Sequence, residues 1–242
     1  MKCLVTSIAI FFLCIASGYA GPPFYADDPE PVDYKHWEYY ISSVNNHQQK
    51  VWSGTLPHFE VNYGILPNVQ LHLLLPVNYS FSRFGGFKSG YANTEVGLKY
   101  RFIKESEACP QVGVFPIIEV PTIANSVFGN GNVQLYLPVW LQKSYGKLTT
   151  YGGGGYWINP GIGNQNWLFT GWEVQYDFSS VLTLGGEIYY HTASDVNGQS
   201  SAGFNAGGFL NFSPRFHLLF SVGNSFIHDN LFSSYIGLLW TI

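Results

Sequence analysis

The chain has 242 residues, of which 46% are hydrophobic, 18% aromatic and only 11% charged. Soluble domains are about 25% charged, and disordered chains combine low hydrophobicity with high charge, so the composition argues against both classes. The formal net charge is −4 and there is no basic block, which leaves no electrostatic footprint for a nucleic-acid partner.

Residues 1–20 have the pattern of a secretory signal peptide. Lys2 precedes an apolar stretch over residues 4–15, and Gly18 and Ala20 stand at the −3 and −1 positions of a cleavage before Gly21. The apolar stretch is shorter than the roughly 20 residues of a membrane-spanning helix. We therefore expect export through a Sec-type signal peptide and a mature chain that retains one cysteine, Cys109.

The mature chain alternates apolar and polar residues with a period of two. Residues 69–79 place Leu71, Leu73 and Leu75 on one face, with Gln70 and His72 on the other. The same alternation recurs in residues 55–63, 92–102, 133–143 and 232–242. A secreted β-sandwich also alternates, but these runs have the length of about 9–11 residues that crosses a bilayer.

The connections between these runs give the number of strands. Short connections lie near residues 66–68, 104–110, 145–147, 179–181 and 213–215, and longer polar ones near 46–54, 80–90, 122–132, 159–166, 192–200 and 224–231. The sequence therefore predicts an all-β, transmembrane, antiparallel up-and-down β-barrel of about twelve strands in the outer membrane, with short periplasmic turns and longer external loops. We expect the barrel-assembly machinery to recognise the C-terminal strand, and we expect bulges or gaps in pairing at Pro57, Pro76, Pro116 and Pro138.

Aromatic residues cluster near the ends of the predicted strands, as the girdles at a membrane interface require. The predicted girdle residues are Trp37, Tyr39, Tyr79, Tyr100, Phe102, Trp157, Trp167, Tyr176, Phe178, Tyr189, Tyr190, Phe212 and Phe216.

The polar face of the strands predicts what lines the barrel. Acids outnumber bases on this face, which would disfavour anions. Two interpretations stay open: a structural network of ion pairs and amides, or a conduit that binds a solute with polar side chains and with scattered aromatics such as Trp157 and Tyr189. The candidate lining residues are Glu38, His58, Glu60, Asn62, Gln70, His72, Glu95, Lys99, Arg101, Glu119, Gln134, Trp140, Gln142, Glu173, Gln175, Glu187 and His191.

No cofactor or metal is implied by the sequence. The histidines lack metal-ligand spacing, and the glycine run at residues 152–155 lacks the lysine and the strand-to-helix context of a phosphate loop. We expect these glycines to let a strand curve or let another segment approach the wall.

Residues 21–36 differ from the rest of the chain. They contain four prolines and four acids and cannot form a strand. Because they precede the first strand, we expect a periplasmic N-terminal segment or a plug folded into the barrel, with the barrel itself over residues 37–242.

Several short segments resemble a family of bacterial outer-membrane proteins known as transporters and related to the phenol-degradation-pathway (MetA-pathway) outer-membrane proteins. The similarity lies in GPPF (21–24), DDPEPV (27–32), HFEVNYG (58–64), TEVGLKYRF (94–102), GNGNVQLYLPVWLQKSYG (129–146) and TTYGGGGYWINPG (149–161). It implies a barrel that transports small molecules, and it carries no catalytic residues.

The sequence thus predicts a non-enzymatic outer-membrane channel for passive uptake or efflux of small solutes, including aromatic or apolar compounds. Two alternatives stay open: a lipid-modifying hydrolase embedded in the barrel, and a structural or adhesion barrel that acts through its loops. The expected partners are outer-membrane lipid and a small-molecule solute, and the oligomeric state is left open.

Overall fold

The computed structural model describes residues 22–121, 128, 131–227 and 231–242, which form one antiparallel sheet. The predicted signal peptide, residues 1–20, lies outside the described residues. The β-segments are β1 Trp37–Gln48, β2 Val51–Leu66, β3 Val69–Ser82, β4 Gly86–Tyr91, β5 Asn93–Ile103, β6 Gln111–Val114, β7 Ile117–Pro121, β8 Gln134–Tyr145, β9 Leu148–Ile158, β10 Trp167–Asp177, β11 Leu182–His191, β12 Ser201–Ser213, β13 Phe216–Ile227 and β14 Phe232–Thr241.

These segments form the twelve strands of a closed barrel, as predicted. β4 and β5 are separated by Ala92 and both pair with β3, so they form one strand of the wall. β6 and β7 likewise form one strand between β5 and β8. β1 closes the sheet by pairing with β14 from Glu38↔Thr241 to His47↔Phe232. A closed sheet has no free edge, so its backbone groups are satisfied within a bilayer.

The two faces of the wall differ in exposure as the alternation predicts. Val96 and Leu98 are 48% and 41% exposed, whereas the neighbouring Glu95 and Lys99 are each 6% exposed. The outer face is therefore the apolar one, and the polar side chains point into the lumen. Among the described residues, no helix combines the length and the apolar character needed to traverse a membrane.

Two predicted long loops, at residues 46–54 and 80–90, are instead tight turns. We call the end that holds Trp37 and Ile242 the terminal rim, and the opposite end the distal rim. At the distal rim, β1 and β2 are joined by Gln49 and Lys50 alone, with φ of 50° and 67°. Two consecutive positive φ values are typical of the type I′ hairpin turn. Asn-Gly is the typical sequence of this turn, and Gln-Lys does not predict it.

Several predicted loops are shorter in the structure, because strand pairing continues into them. Polar residues in 46–54 and 80–90 continue the strand pairing, for example Asn46↔Ser53 and Ser80↔Lys88. β13 likewise extends to Ile227, inside the predicted loop 224–231. Strand pairing persists beyond the apolar band, where polarity no longer marks a loop. The long connections at the distal rim are residues 122–133, 159–166 and 192–200, of which 122–127 and 129–130 lie outside the described residues.

The proline prediction is correct at all four positions. The register shifts between Thr55 and His58, around Pro57, and Pro116 lies in the gap between β6 and β7. Pro76 lies between the pairing of β3 with β4 and its pairing with β5, and Pro138 lies between the pairing of β8 with β6 and its pairing with β7.

The aromatic girdle prediction is wrong at three positions. Trp157, Trp167 and Tyr189 are buried at 2%, 8% and 3% exposure, because the alternation of their strands turns them into the lumen. Tyr156 and Tyr190, their neighbours in sequence, are the exposed residues.

Close packing inside the wall predicts different tolerance at two glycines. A Cβ on Gly155 would lie 2.6 Å from the Cα of Pro138, whereas a Cβ on Gly186 would lie 3.6 Å from the backbone oxygen of Asn205. We expect Gly155→Ala to destabilise the barrel by about 1–3 kcal/mol, the usual range for overpacking, and Gly186→Ala to leave it nearly unchanged. Heat-modifiable gel mobility against temperature measures both, and equal midpoints would contradict the packing described here.

Candidate functional site

The lumen collects all the side chains that the sequence predicts for the inward face. Their role in binding a solute stays a prediction. Those that are buried are His58, Glu60, Asn62, Gln70, His72, Glu95, Lys99, Glu119, Gln134, Trp140, Glu173 and Glu187, and those that are half-buried are Glu38, Arg101, Gln142, Gln175 and His191.

The N-terminal segment, described here over residues 22–36, passes through the lumen before β1 begins. Phe24, Ala26 and Asp27 are each 1% exposed or less. Tyr34 forms an isolated bridge with Gly64 near the terminal rim. Ser221 of β13 donates a hydrogen bond to the backbone oxygen of Pro23. The segment is therefore held against the wall at several depths.

Basic side chains of β5 hold the acidic part of the segment. The Lys99 ammonium lies 3.0 Å from Asp27 Oδ1 and 3.6 Å from Asp28 Oδ1. The guanidinium of Arg101 lies 3.1 Å from Glu30 Oε1. Burial raises the pKa of Asp28 to about 6, and the Lys99 ammonium opposes that shift.

Amides of the wall add hydrogen bonds to the same part of the segment. Gln70 Oε1 accepts from the backbone N–H of Val32 at 2.8 Å. Gln111 Nε2 donates to Glu30 Oε2 at 3.2 Å. Residues 27–32 are thus fixed by complementary charge and by amide contacts.

Glu187 of β11 holds the preceding residues of the segment. Its carboxylate accepts from the backbone N–H of Tyr25 at 3.0 Å and from that of Ala26. It also accepts from Asn205 Nδ2 at 2.8 Å. The segment therefore joins β5 to β11, which lie apart in the strand order of the barrel.

Two pairs of carboxylates stand in register across neighbouring strands of the lumen. Glu95 is opposite Glu119, and Glu173 is opposite Glu187. Asn93 and Gln134 donate to Glu119 Oε2 at 3.2 and 3.1 Å. The contacts of Glu119 thus belong to the amide network that the sequence suggested. Both oxygens of the Glu173 carboxyl group are buried and have no hydrogen-bond partner in the described part of the chain.

Aromatic rings cover part of the lumen wall on β8 to β11, beside the carboxyl groups of Glu173 and Glu187. The rings of Tyr136 and Trp157 are stacked with centroids 4.6 Å apart, and Trp157 is stacked on Trp167 at 5.4 Å. Tyr25 of the segment packs edge-on against Tyr189 with centroids 4.7 Å apart. These rings form a surface of β8, β9, β10 and β11 that faces the segment.

A cavity of about 420 Å³ remains beside the segment, on the side of the terminal rim. Its walls include Glu38, Gln142 and Gln175, which lie near the ends of their strands, together with Asp27 and Lys99. No group of three or more His, Cys, Asp or Glu side chains in the described part of the chain is arranged to hold a metal ion.

Sequence reasoning missed the residues of the segment that complete this site. In the sequence, Asp27, Asp28 and Glu30 form part of an acidic, proline-rich run with no predicted partner. The signal was available, because Lys99 and Arg101 stand together on one inward face and need acidic partners.

We expect Lys99→Gln to loosen the N-terminal segment. The substitution leaves the Asp27 carboxylate buried without its ammonium, and breaking such a pair costs about 3–5 kcal/mol. A protease that cleaves on the amino side of aspartate should then cut the folded protein faster between Ala26 and Asp27. Lys143→Gln is the matched control, since Lys143 pairs with Glu105 in the connection between β5 and β6. Equal cleavage rates in the two variants would contradict the assigned role of Lys99.

Comparisons with known proteins agree on the fold. No protein-family profile matches the sequence, and no curated protein matches it. A solved COG4313 outer membrane channel from Pseudomonas putida F1 is similar, with a TM-score of 0.73 and 12% identity over 89% of this chain and 98% of that one. The KdgM porin, solved in complex with oligogalacturonate, gives a TM-score of 0.56 and 11% identity over 83% and 98%.

A translocator domain of an autotransporter, NalP from Neisseria meningitidis, gives a TM-score of 0.54 and 10% identity over 85% of this chain and 87% of that one. At these identities the likeness concerns the fold. The chain therefore has the closed, antiparallel, twelve-stranded β-barrel of outer-membrane proteins.

Proposed function

We propose that the protein is an outer-membrane channel for passive uptake or efflux of small molecules, gated by its N-terminal segment acting as a plug. The observation that carries the proposal is the polar lumen of a closed barrel, which the N-terminal segment crosses. The segment is bound to the wall through side-chain contacts and isolated backbone hydrogen bonds. The segment adds no strand to the wall, so its displacement would leave the barrel intact.

The lumen offers two kinds of surface to a solute. Carboxylates and amides line the lumen on strands from β1 to β11, and stacked rings are added to them on β8, β9 and β10. The first favours cations over anions, and the second supports the transport of aromatic or apolar compounds, because flat solutes stack on such rings.

The orientation in the membrane follows from the same proposal. The two chain termini of the barrel meet at the terminal rim, which we place in the periplasm after signal-peptide cleavage. The C-terminal strand, β14, would then be presented to the barrel-assembly machinery from that side. The family of outer-membrane transporters that the sequence resembles fits this arrangement.

The contacts of two lumen histidines favour a channel over the hydrolase alternative. His58 Nδ1 lies 3.0 Å from Thr55 Oγ1, and His72 Nδ1 lies 2.8 Å from Asn62 Oδ1. A hydrolytic triad would require a histidine between a serine hydroxyl and a carboxylate.

Planar-bilayer conductance of the refolded mature protein tests the proposal, and two matched variants test the plug. We expect discrete steps with cation preference. Glu187→Gln weakens the hydrogen bonds to the segment, because a neutral amide accepts less strongly than a carboxylate. We therefore expect more frequent openings, by severalfold.

Glu173→Gln makes the same substitution at the opposite residue of the neighbouring strand, which makes no hydrogen bond to the segment. It should leave the opening frequency near that of the parent chain. Equal opening frequencies in both variants would contradict the plug. Silence of the folded parent and of a chain lacking residues 21–33 would contradict the channel.

A further inference from the structure

The cavity beside the N-terminal segment has an unbalanced chemistry. One ammonium, that of Lys99, lines it, against the carboxyl groups of Asp27, Asp28, Glu30, Asp33, Glu38 and Glu60. Lys99 is already engaged by Asp27 and Asp28. Carboxyl groups therefore outnumber cationic groups on the lining of the cavity.

A second observation, independent of charge, concerns hydrogen bonding. Three buried atoms of the lining have no partner among the described residues: Asp27 Oδ2, His72 Nε2 and Gln175 Oε1. The side chains of Asp27 and His72 are 2% and 7% exposed. Buried polar atoms usually have a partner, so these three indicate a missing one.

All three atoms are acceptors. Asp27 Oδ2 and Gln175 Oε1 are carboxylate and amide oxygens. His72 Nδ1 lies 2.8 Å from Asn62 Oδ1 and 3.5 Å from Glu60 Oε1, so Nδ1 carries a hydrogen, and in the uncharged form of the ring Nε2 is an acceptor. What the cavity lacks is a donor with several N–H groups.

Aromatic side chains complete the lining. Tyr40, Phe115, Tyr151 and Phe209 border the same space. The Lys99 ammonium already lies 5.1 Å from the centre of the Phe115 ring, so one of these rings already contacts a cation.

From this juxtaposition we propose that the cavity is a binding site for a small organic cation rich in N–H donors, an alkyl guanidinium or alkyl diamine. The volume of about 420 Å³ accommodates such a molecule. The inference rests on the proposed channel, since the cation reaches the cavity through the lumen. It names the solute class that the acidic side of the lumen selects.

Calorimetric titration of the folded mature protein in detergent, at low salt and pH 8, tests the site with agmatine as the probe. Agmatine carries a guanidinium and an ammonium on one alkyl chain. We expect saturable binding with a Kd of about 1 mM or tighter. Tetraethylammonium, a cation without N–H donors, and glutarate, an anion, should bind at least tenfold more weakly.

Substitutions at Gln175 give a directional test at one position. Gln175→Glu adds a carboxylate and should tighten agmatine binding severalfold, whereas Gln175→Lys supplies an ammonium in its place and should weaken it at least tenfold. Gln165→Lys adds the same charge in the connection between β10 and β9, outside the cavity, and should leave the Kd unchanged.

Conductance of the same preparations separates this inference from the channel. A protein that conducts ions but does not bind agmatine would overturn the cation site and leave the channel. Agmatine binding without conductance, in the parent and in the chain lacking residues 21–33, would support the site and overturn the channel. Equal affinity for tetraethylammonium would overturn the requirement for N–H donors.

Discussion

The buried contact between Lys99 and Asp27 is the interaction on which the arrangement of the lumen depends. An ammonium on the inner face of a narrow barrel is costly unless a carboxylate meets it, and the wall places Glu95 and Glu119 deeper on the same strands. The segment that precedes β1 supplies the missing partner. Its acids therefore fall at a defined depth, and Glu187 fixes the residues before them. Charge balance thus explains why a proline-rich leader lies inside the barrel.

The division of the lumen follows from this placement. Where the segment meets β3, β5 and β6, the wall is polar and the contacts are ion pairs and amides. Where it meets β10 and β11, small and aromatic residues pack beside the hydrogen bonds to Glu187, with Ala26 close to Gly171 and Tyr25 against Tyr189. The glycine-rich strands leave room for this approach. The cavity beside the segment retains hydrogen-bond acceptors that have no donor among the described residues. Its chemistry therefore differs from that of the packed side.

The sequence was most informative about features set by alternation. The closed barrel, its twelve strands and the inward set from Glu38 to His191 follow from a period of two, because a one-residue slip would turn the whole face toward lipid. Strand ends were less predictable, since hydrogen-bonded pairing continues through polar residues such as Asn46 and Ser80. The contacts of the segment were not predictable from periodicity at all. They depend on which side chains meet across the lumen, as with Glu187 and the backbone N–H of Tyr25.

The most direct test of the account is to tie the segment to the wall and measure conductance. A Cβ on Gly171 would lie 3.2 Å from that of Ala26, close to the separation in a disulfide. Ala26→Cys with Gly171→Cys, in a chain where Cys109→Ser removes the exposed thiol, therefore allows a reversible link. The account predicts that the oxidised protein is closed and that reduction restores stepwise conductance. Equal conductance in both redox states, or silence in both, would contradict it.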